Sequence, residues 1–102
     1  MSDEKRRGGY RKLATELIGS LKDLIDQSPD IPKIKVKLDH LRDIKLKIHY
    51  FDENIVIKLS DDEEALFMEI KESERRNGLI DKQIIVVESF LNKLDDSGSE
   101  HS

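Results

Sequence analysis

The sequence predicts an α+β fold, a two-layer sandwich in which two helices cover one face of an antiparallel meander of three or four strands. Three observations predict it. Apolar residues recur every three or four positions over residues 10–27, they alternate with polar residues over 33–59, and helical spacing returns over 79–94. A helix on either side of a run of strands is typical of a sheet with one apolar face.

The first helix is expected from Tyr10 to Gln27. Its apolar residues fall on one side of a helical wheel, and the two prolines at 29 and 32 exclude its continuation. The polar residues before it, 1–9, end in Gly8-Gly9 and are expected to form a flexible basic arm.

The strands are expected where the apolar period changes to two. These segments are 33–38, 44–50 and 55–59, and the polar break at 52–54 suits a hairpin turn. On this alternation, lysines project from the solvent face of the sheet: Lys33, Lys35, Lys37, Lys45, Lys47 and Lys58.

Residues 60–76 allow two interpretations. Ser60 and Glu63 fit the capping box of a helix, whereas alternation over 65–71 fits a fourth strand, which we favour because a helix there has a poor apolar face. A closing helix follows from Leu79 to Leu94, and residues 95–102 are expected to be a polar, disordered tail. The folded domain is thus residues 10–94.

Catalytic, cofactor and metal sites are not expected. The chain has no cysteine, and its three histidines, His40, His49 and His101, are best explained as solvated. The acidic run 61–64 lacks the spacing of a calcium loop, and no serine sits in a nucleophile turn. We therefore expect no enzyme, no cofactor and no small-molecule substrate.

Charge separates along the chain. Residues 33–58 hold seven basic and four acidic side chains, for +3, and residues 59–102 hold five and twelve, for −7, within a total of −4. The lysine face represented by Lys35, Lys45, Lys47 and Lys58 keeps an open sheet soluble, meets an acidic protein or the chain's own acidic part, or meets a nucleic acid. Exposed aromatic residues for base stacking are scarce there.

The closing helix carries a second apolar stripe, formed by Leu79, Val86 and Phe90. One sheet face does not cover both stripes, so we expect a homodimer through this helix. The sequence thus predicts a non-enzymatic protein–protein interaction module of the adaptor, chaperone or inhibitor type. We expect it in the cytoplasm, because no leader or membrane span is visible. The alternative is a nucleic-acid-binding protein that uses the lysine face and the basic arm.

Overall fold

The described part of the chain forms no strand and three helices, the second of which runs antiparallel to the other two. The computed structural model describes residues 2–27 and 29–99, with side chains described up to residue 94. The helices are α1 (Asp3–Gln27), α2 (Ile31–Lys58) and α3 (Glu63–Ser99). The predicted α+β sandwich and its meander are therefore wrong: residues 33–59, taken for three strands, form a single helix and its C-terminal cap.

The physical reason lies in a handful of exposed apolar residues. The buried residues of α2 follow helical spacing: Ile34, Leu38, Leu41, Ile44, Ile48, Phe51 and Ile55. Val36 and Leu46 fall between pairs of these residues, Ile57 follows the last of them, and all three are exposed. They produce the alternation of period two that resembles strands.

Side-chain caps mark where α2 and α3 begin. The Asp30 carboxylate accepts a hydrogen bond of 3.2 Å from the Lys33 amide, and Pro32 occupies the first turn, where its missing N–H costs nothing. The Asp62 carboxylate accepts one of 3.0 Å from the Ala65 amide. Asp62, two residues after the predicted cap Ser60, thus caps α3.

The strand predicted over 65–71 is also wrong, because α3 runs through it. Glu69, Ser73 and Asn77 occupy the inward positions of this part of α3 and are polar, which explains why no apolar helical stripe is visible there. The helix predicted over 79–94 is confirmed as the later part of α3.

Both terminal segments differ from expectation in where the helices end. α1 begins at Asp3, so most of the segment expected as a basic arm forms its first turns, and Arg7 is buried. α3 continues to Ser99, five residues beyond the predicted end at Leu94, and residues 100–102 of the predicted tail lie outside the described residues.

The bundle is elongated, 59 × 24 × 18 Å, and its core has two parts. The larger part is apolar and draws on all three helices: Ala14, Leu17, Leu21, Ile34, Leu38, Leu41, Ile44, Ile48, Ile80, Ile84, Val87 and Leu91. The smaller part is polar and lies where the start of α1 meets the end of α2. None of the helices formed by the described residues is long and apolar enough to cross a membrane.

Candidate functional site

A buried polar network joins the three helices at one end of the bundle. The Arg7 guanidinium of α1 donates to Asp52 of α2 over 2.9 Å, and its second terminal nitrogen donates to Glu69 of α3 over 3.0 Å. The Asn77 amide donates to the other oxygen of Asp52 over 2.9 Å, and Arg7 also contacts the Ser73 hydroxyl at 3.3 Å. The network thus holds α3 against the other two helices.

The charges of this network are mutually stabilised. Hydrogen bonds from Arg7, and then from Ser73, hold the pKa of Glu69 below its usual value, although burial opposes the shift. The same contacts with Glu69 and Asp52 raise the pKa of Arg7. Both groups are therefore ionised at neutral pH, and their role is to fasten helices.

The predicted lysines do not share a face, because the sheet that would align them does not exist. Lys45 is half-buried and pairs with Asp81 of α3. The Lys58 ammonium lies 3.1 Å from the carboxylate of Asp3 in α1. These two lysines therefore connect helices within the chain.

The other two predicted lysines are exposed on α2. The Lys47 ammonium lies 3.7 Å from Asp43 and 5.4 Å from the centre of the Tyr10 ring. Lys35 lines an open groove between α2 and α3, next to Arg42. As surface ion pairs, such contacts contribute little to stability.

The predicted stripe on the last helix is divided between core and surface. Phe90 is half-buried and packs against the apolar core, whereas Leu79 and Val86 are exposed. Leu79 lies at the cleft between α1 and α3. The structure therefore leaves two of the three residues open to a partner.

A second exposed apolar set lies on α2, and sequence reasoning missed it as a surface. We call it the outer stripe: Val36, Leu46, Tyr50 and Ile57, which are between 62% and 69% exposed. Together with Asp39, Asp43 and Glu53 these residues are spaced by 3, 4, 3, 4, 3 and 4 positions, the spacing of one face of a coiled-coil helix. A helical wheel over residues 31–58 reveals this stripe once the segment is known to be helical.

A groove of about 500 Å³ adjoins the C-terminal end of the outer stripe. It lies between α2 and α3. Its apolar lining includes Val56, Ile57 and Ile70, and its acidic lining includes Glu53 and Glu74. The acidic and apolar character of the stripe therefore continues onto α3.

The described residues hold no group of three or more side chains able to bind a metal ion. His40 and His49 are exposed on α2, where their imidazoles face solvent. The candidate functional features of the described residues are thus the exposed surfaces and the buried polar network.

Comparisons of the chain with models of protein families, with curated proteins and with solved structures find no match.

Proposed function

We propose that the chain is a non-enzymatic protein-binding module that receives an amphipathic helix along the outer stripe of α2. One observation carries the proposal: Val36, Leu46, Tyr50 and Ile57 are all exposed on one face at coiled-coil spacing. The buried face of α2 lies elsewhere on the helix, so among the described residues these side chains take no part in the core. A second helix would bury them by the same packing that joins helices in coiled coils.

The acidic members of the stripe indicate the chemistry of the partner. Asp39, Asp43 and Glu53 alternate with the apolar residues, and the adjoining groove adds Glu74. A partner helix that bears lysine or arginine between its apolar residues would match this arrangement. An acidic helix would be repelled.

The free energies of burial and of association show why the partner needs both apolar contacts and charge pairs. Full burial of a Val, Leu or Ile side chain contributes about 1.5–3 kcal/mol, so the three aliphatic residues of the stripe, which are already about one-third buried, supply at most about 4.5–9 kcal/mol. Association itself costs about 4–15 kcal/mol. Apolar contact alone is therefore marginal, and charge pairs along the seam would determine affinity and choice of partner.

A second copy of the chain is a poor occupant of the outer stripe. Antiparallel pairing centred on Leu46 would place Asp39 opposite Glu53, and parallel pairing would place each acid opposite itself. We instead propose that the homodimer forms through α3, where Leu79 and Val86 are exposed without neighbouring acids on the stripe. Adaptor, chaperone and inhibitor roles in the cytoplasm all fit such a dimer.

The test is a calorimetric titration with two matched helical peptides. Both carry leucine at the positions that would face the apolar residues of the outer stripe, and they carry lysine or glutamate at the positions that would face Asp39, Asp43 and Glu53. We expect the lysine peptide to bind the wild-type chain more tightly, by at least about tenfold. Double substitution of Leu46 and Ile57 by glutamate should weaken that binding by about the same factor.

The matched control is Ile85→Glu, which alters an equally exposed apolar residue on α3 and should change the affinity less than twofold. Equal binding of the two peptides, or no loss in the Leu46 and Ile57 double variant, would contradict the proposal. A parallel titration with duplex DNA tests the alternative function, since binding to phosphates would fall steeply between 50 and 200 mM salt.

A further inference from the structure

The outer stripe turns around α2 as it runs along the helix. Its residues Val36, Tyr50 and Ile57 are separated by multiples of seven positions. Because an α-helix has 3.6 residues per turn, a seven-residue repeat rotates by about 20° for each heptad, or about 60° over the three heptads from Val36 to Ile57. A partner helix that follows the stripe therefore crosses α2 at a slant and lies toward different sides of α2 at its two ends.

Each end of the stripe borders a groove, and the two grooves lie on different sides of α2. Val36 lines a groove of about 560 Å³ between α1 and α2, which Leu24 and Pro32 also line. Ile57 lines the groove of about 500 Å³ between α2 and α3. At about 1.5 Å of helix for each residue, Val36 and Ile57 are about 32 Å apart along α2. A partner helix of three heptads therefore reaches both grooves.

The groove at Val36 is basic. Lys33 and Lys37 line it, and its lining, as far as the described residues form it, includes no carboxylate. Neither lysine forms an ion pair with a described residue. Lys33 lies in the first turn of α2, where the helix dipole disfavours a positive charge. The stability of α2 therefore does not explain the position of Lys33, whereas a negatively charged group of a partner would.

The groove at Ile57 is acidic. Glu53 of α2 and Glu74 of α3 line it, and no lysine or arginine among the described residues does so. Asp52 also lines this groove but is bonded to Arg7, whereas Glu53 and Glu74 form no ion pair with a described residue. The two ends of the stripe thus border unpaired charges of opposite sign.

We propose that the partner helix is polarised in charge, with its basic end at the groove between α2 and α3 and its acidic end at the groove between α1 and α2. This inference rests on the function proposed above, because it concerns the helix that the outer stripe receives. In the middle of the stripe, Asp39 and Asp43 already pair with Arg42 and Lys47 of the same helix. The unpaired charges at the two ends therefore determine which way round the partner lies.

The test determines the orientation of a bound peptide of three heptads. The peptide has leucine at the positions that would face the apolar residues of the stripe, lysine in one half and glutamate in the other half. A nitroxide label at its lysine end should broaden the amide signals of the full chain near Ile57 and Glu74, and a label at its glutamate end those near Leu24 and Val36. A peptide with the same residues in reverse order should give the same result, because charge and not chain direction orients it.

Exchange of the charges at the two grooves should reverse the orientation of the peptide. This variant combines four substitutions: Lys33→Glu, Lys37→Glu, Glu53→Lys and Glu74→Lys. The matched control makes four exchanges of the same signs at exposed positions of α1 outside both grooves, and it should leave the orientation unchanged: Lys12→Glu, Lys22→Glu, Glu16→Lys and Asp23→Lys. Each fourfold variant keeps the net charge of the chain. A peptide of the same composition with lysine and glutamate mixed along its length should bind the wild type at least about threefold more weakly.

The polarity is refuted if a peptide binds but labels at its two ends broaden the same amide signals, or if the groove variant does not reverse it. If no peptide binds, the function proposed for the outer stripe fails as well. A dimer that is lost in Leu46→Glu but kept in Val86→Glu would show that a second copy occupies the stripe, and would also overturn the proposal. The two label positions on the wild type decide the question even if the groove variant does not fold.

Discussion

Asp52 is the residue on which the polar network depends most, and its replacement by alanine should be severely destabilising. Its two oxygens accept from Arg7 and Asn77, each over 2.9 Å, and the Ser73 hydroxyl lies 3.3 Å from one of them. The side chains of Arg7 and Asp52 are about 9–10% exposed, so these contacts are largely shielded from water, although Asp52 borders the groove between α2 and α3. Asp52→Ala leaves Arg7, Arg11 and Asn77 facing a cavity.

The expected loss follows from two independent estimates. Two hydrogen bonds that involve charged groups contribute about 1.5–3 kcal/mol each, or about 3–6 kcal/mol together. Removal of one partner of a buried ion pair typically costs about 3–5 kcal/mol. Both estimates agree on about 3–5 kcal/mol, a large part of the roughly 5–15 kcal/mol that stabilises a domain.

Urea unfolding at pH 7, followed by circular dichroism, measures this loss. The control is Asp39→Ala, which removes an exposed pair with Arg42 and should cost at most about 1 kcal/mol. A loss below about 1 kcal/mol for Asp52→Ala, at an unchanged slope of free energy against urea, would refute the reasoning. It would mean that solvent reaches the network or that α3 is not seated on it.

Three further expectations concern pH, packing and assembly. Arg7 lowers the pKa of Glu69 in the folded chain, so the stabilising effect of Glu69 is complete above the usual pKa of 4.5 and is lost as the pH falls through the lowered pKa. Between pH 7 and pH 2, the unfolding midpoint of Glu69→Gln should therefore fall less than that of the wild type. In urea unfolding, Ile48→Ala should lower the free energy of unfolding by about 2–5 kcal/mol and Leu46→Ala by at most about 0.5 kcal/mol. Equal losses would contradict the helix and favour the predicted sheet, in which both residues face the core. Light scattering should give a dimeric mass for the wild type and a monomeric mass for Val86→Glu, and a monomeric wild type at high micromolar concentration would rule the dimer out.

The middle of the chain shows why its fold could not be predicted from apolar periodicity alone. Residues 34, 38, 44 and 48 carry the helical spacing, but Val36 and Leu46 lie midway between them and complete an alternation of period two. β-branched residues and lysines in the same segment are compatible with either structure. The residues that misled the prediction are those exposed on the outer stripe, which is where an interface would put them.

At the ends of the chain, the prediction from sequence failed for a different reason. Gly8-Gly9 and the charged residues before it indicate a helix boundary, yet α1 extends through them because Arg7 is bonded to α2 and α3. The polar inner face of α3 was likewise invisible, since Glu69 and its neighbours are buried by partners distant in sequence. Helices with an apolar face, such as 10–27 and 79–94, were predictable because local spacing alone determines them.

The polar network also decides how α3 is aligned along its own axis. A slide by one turn, about 5.4 Å, in one direction would bring Ala65 to the place of Glu69, so that Arg7 would lose the hydrogen bonds it makes there. A slide in the other direction would bring Asp81 to the place of Asn77, against Asp52. Both neighbouring alignments are penalised, so Arg76 and Leu79 meet α1 at one height and the cleft between these helices has a fixed shape.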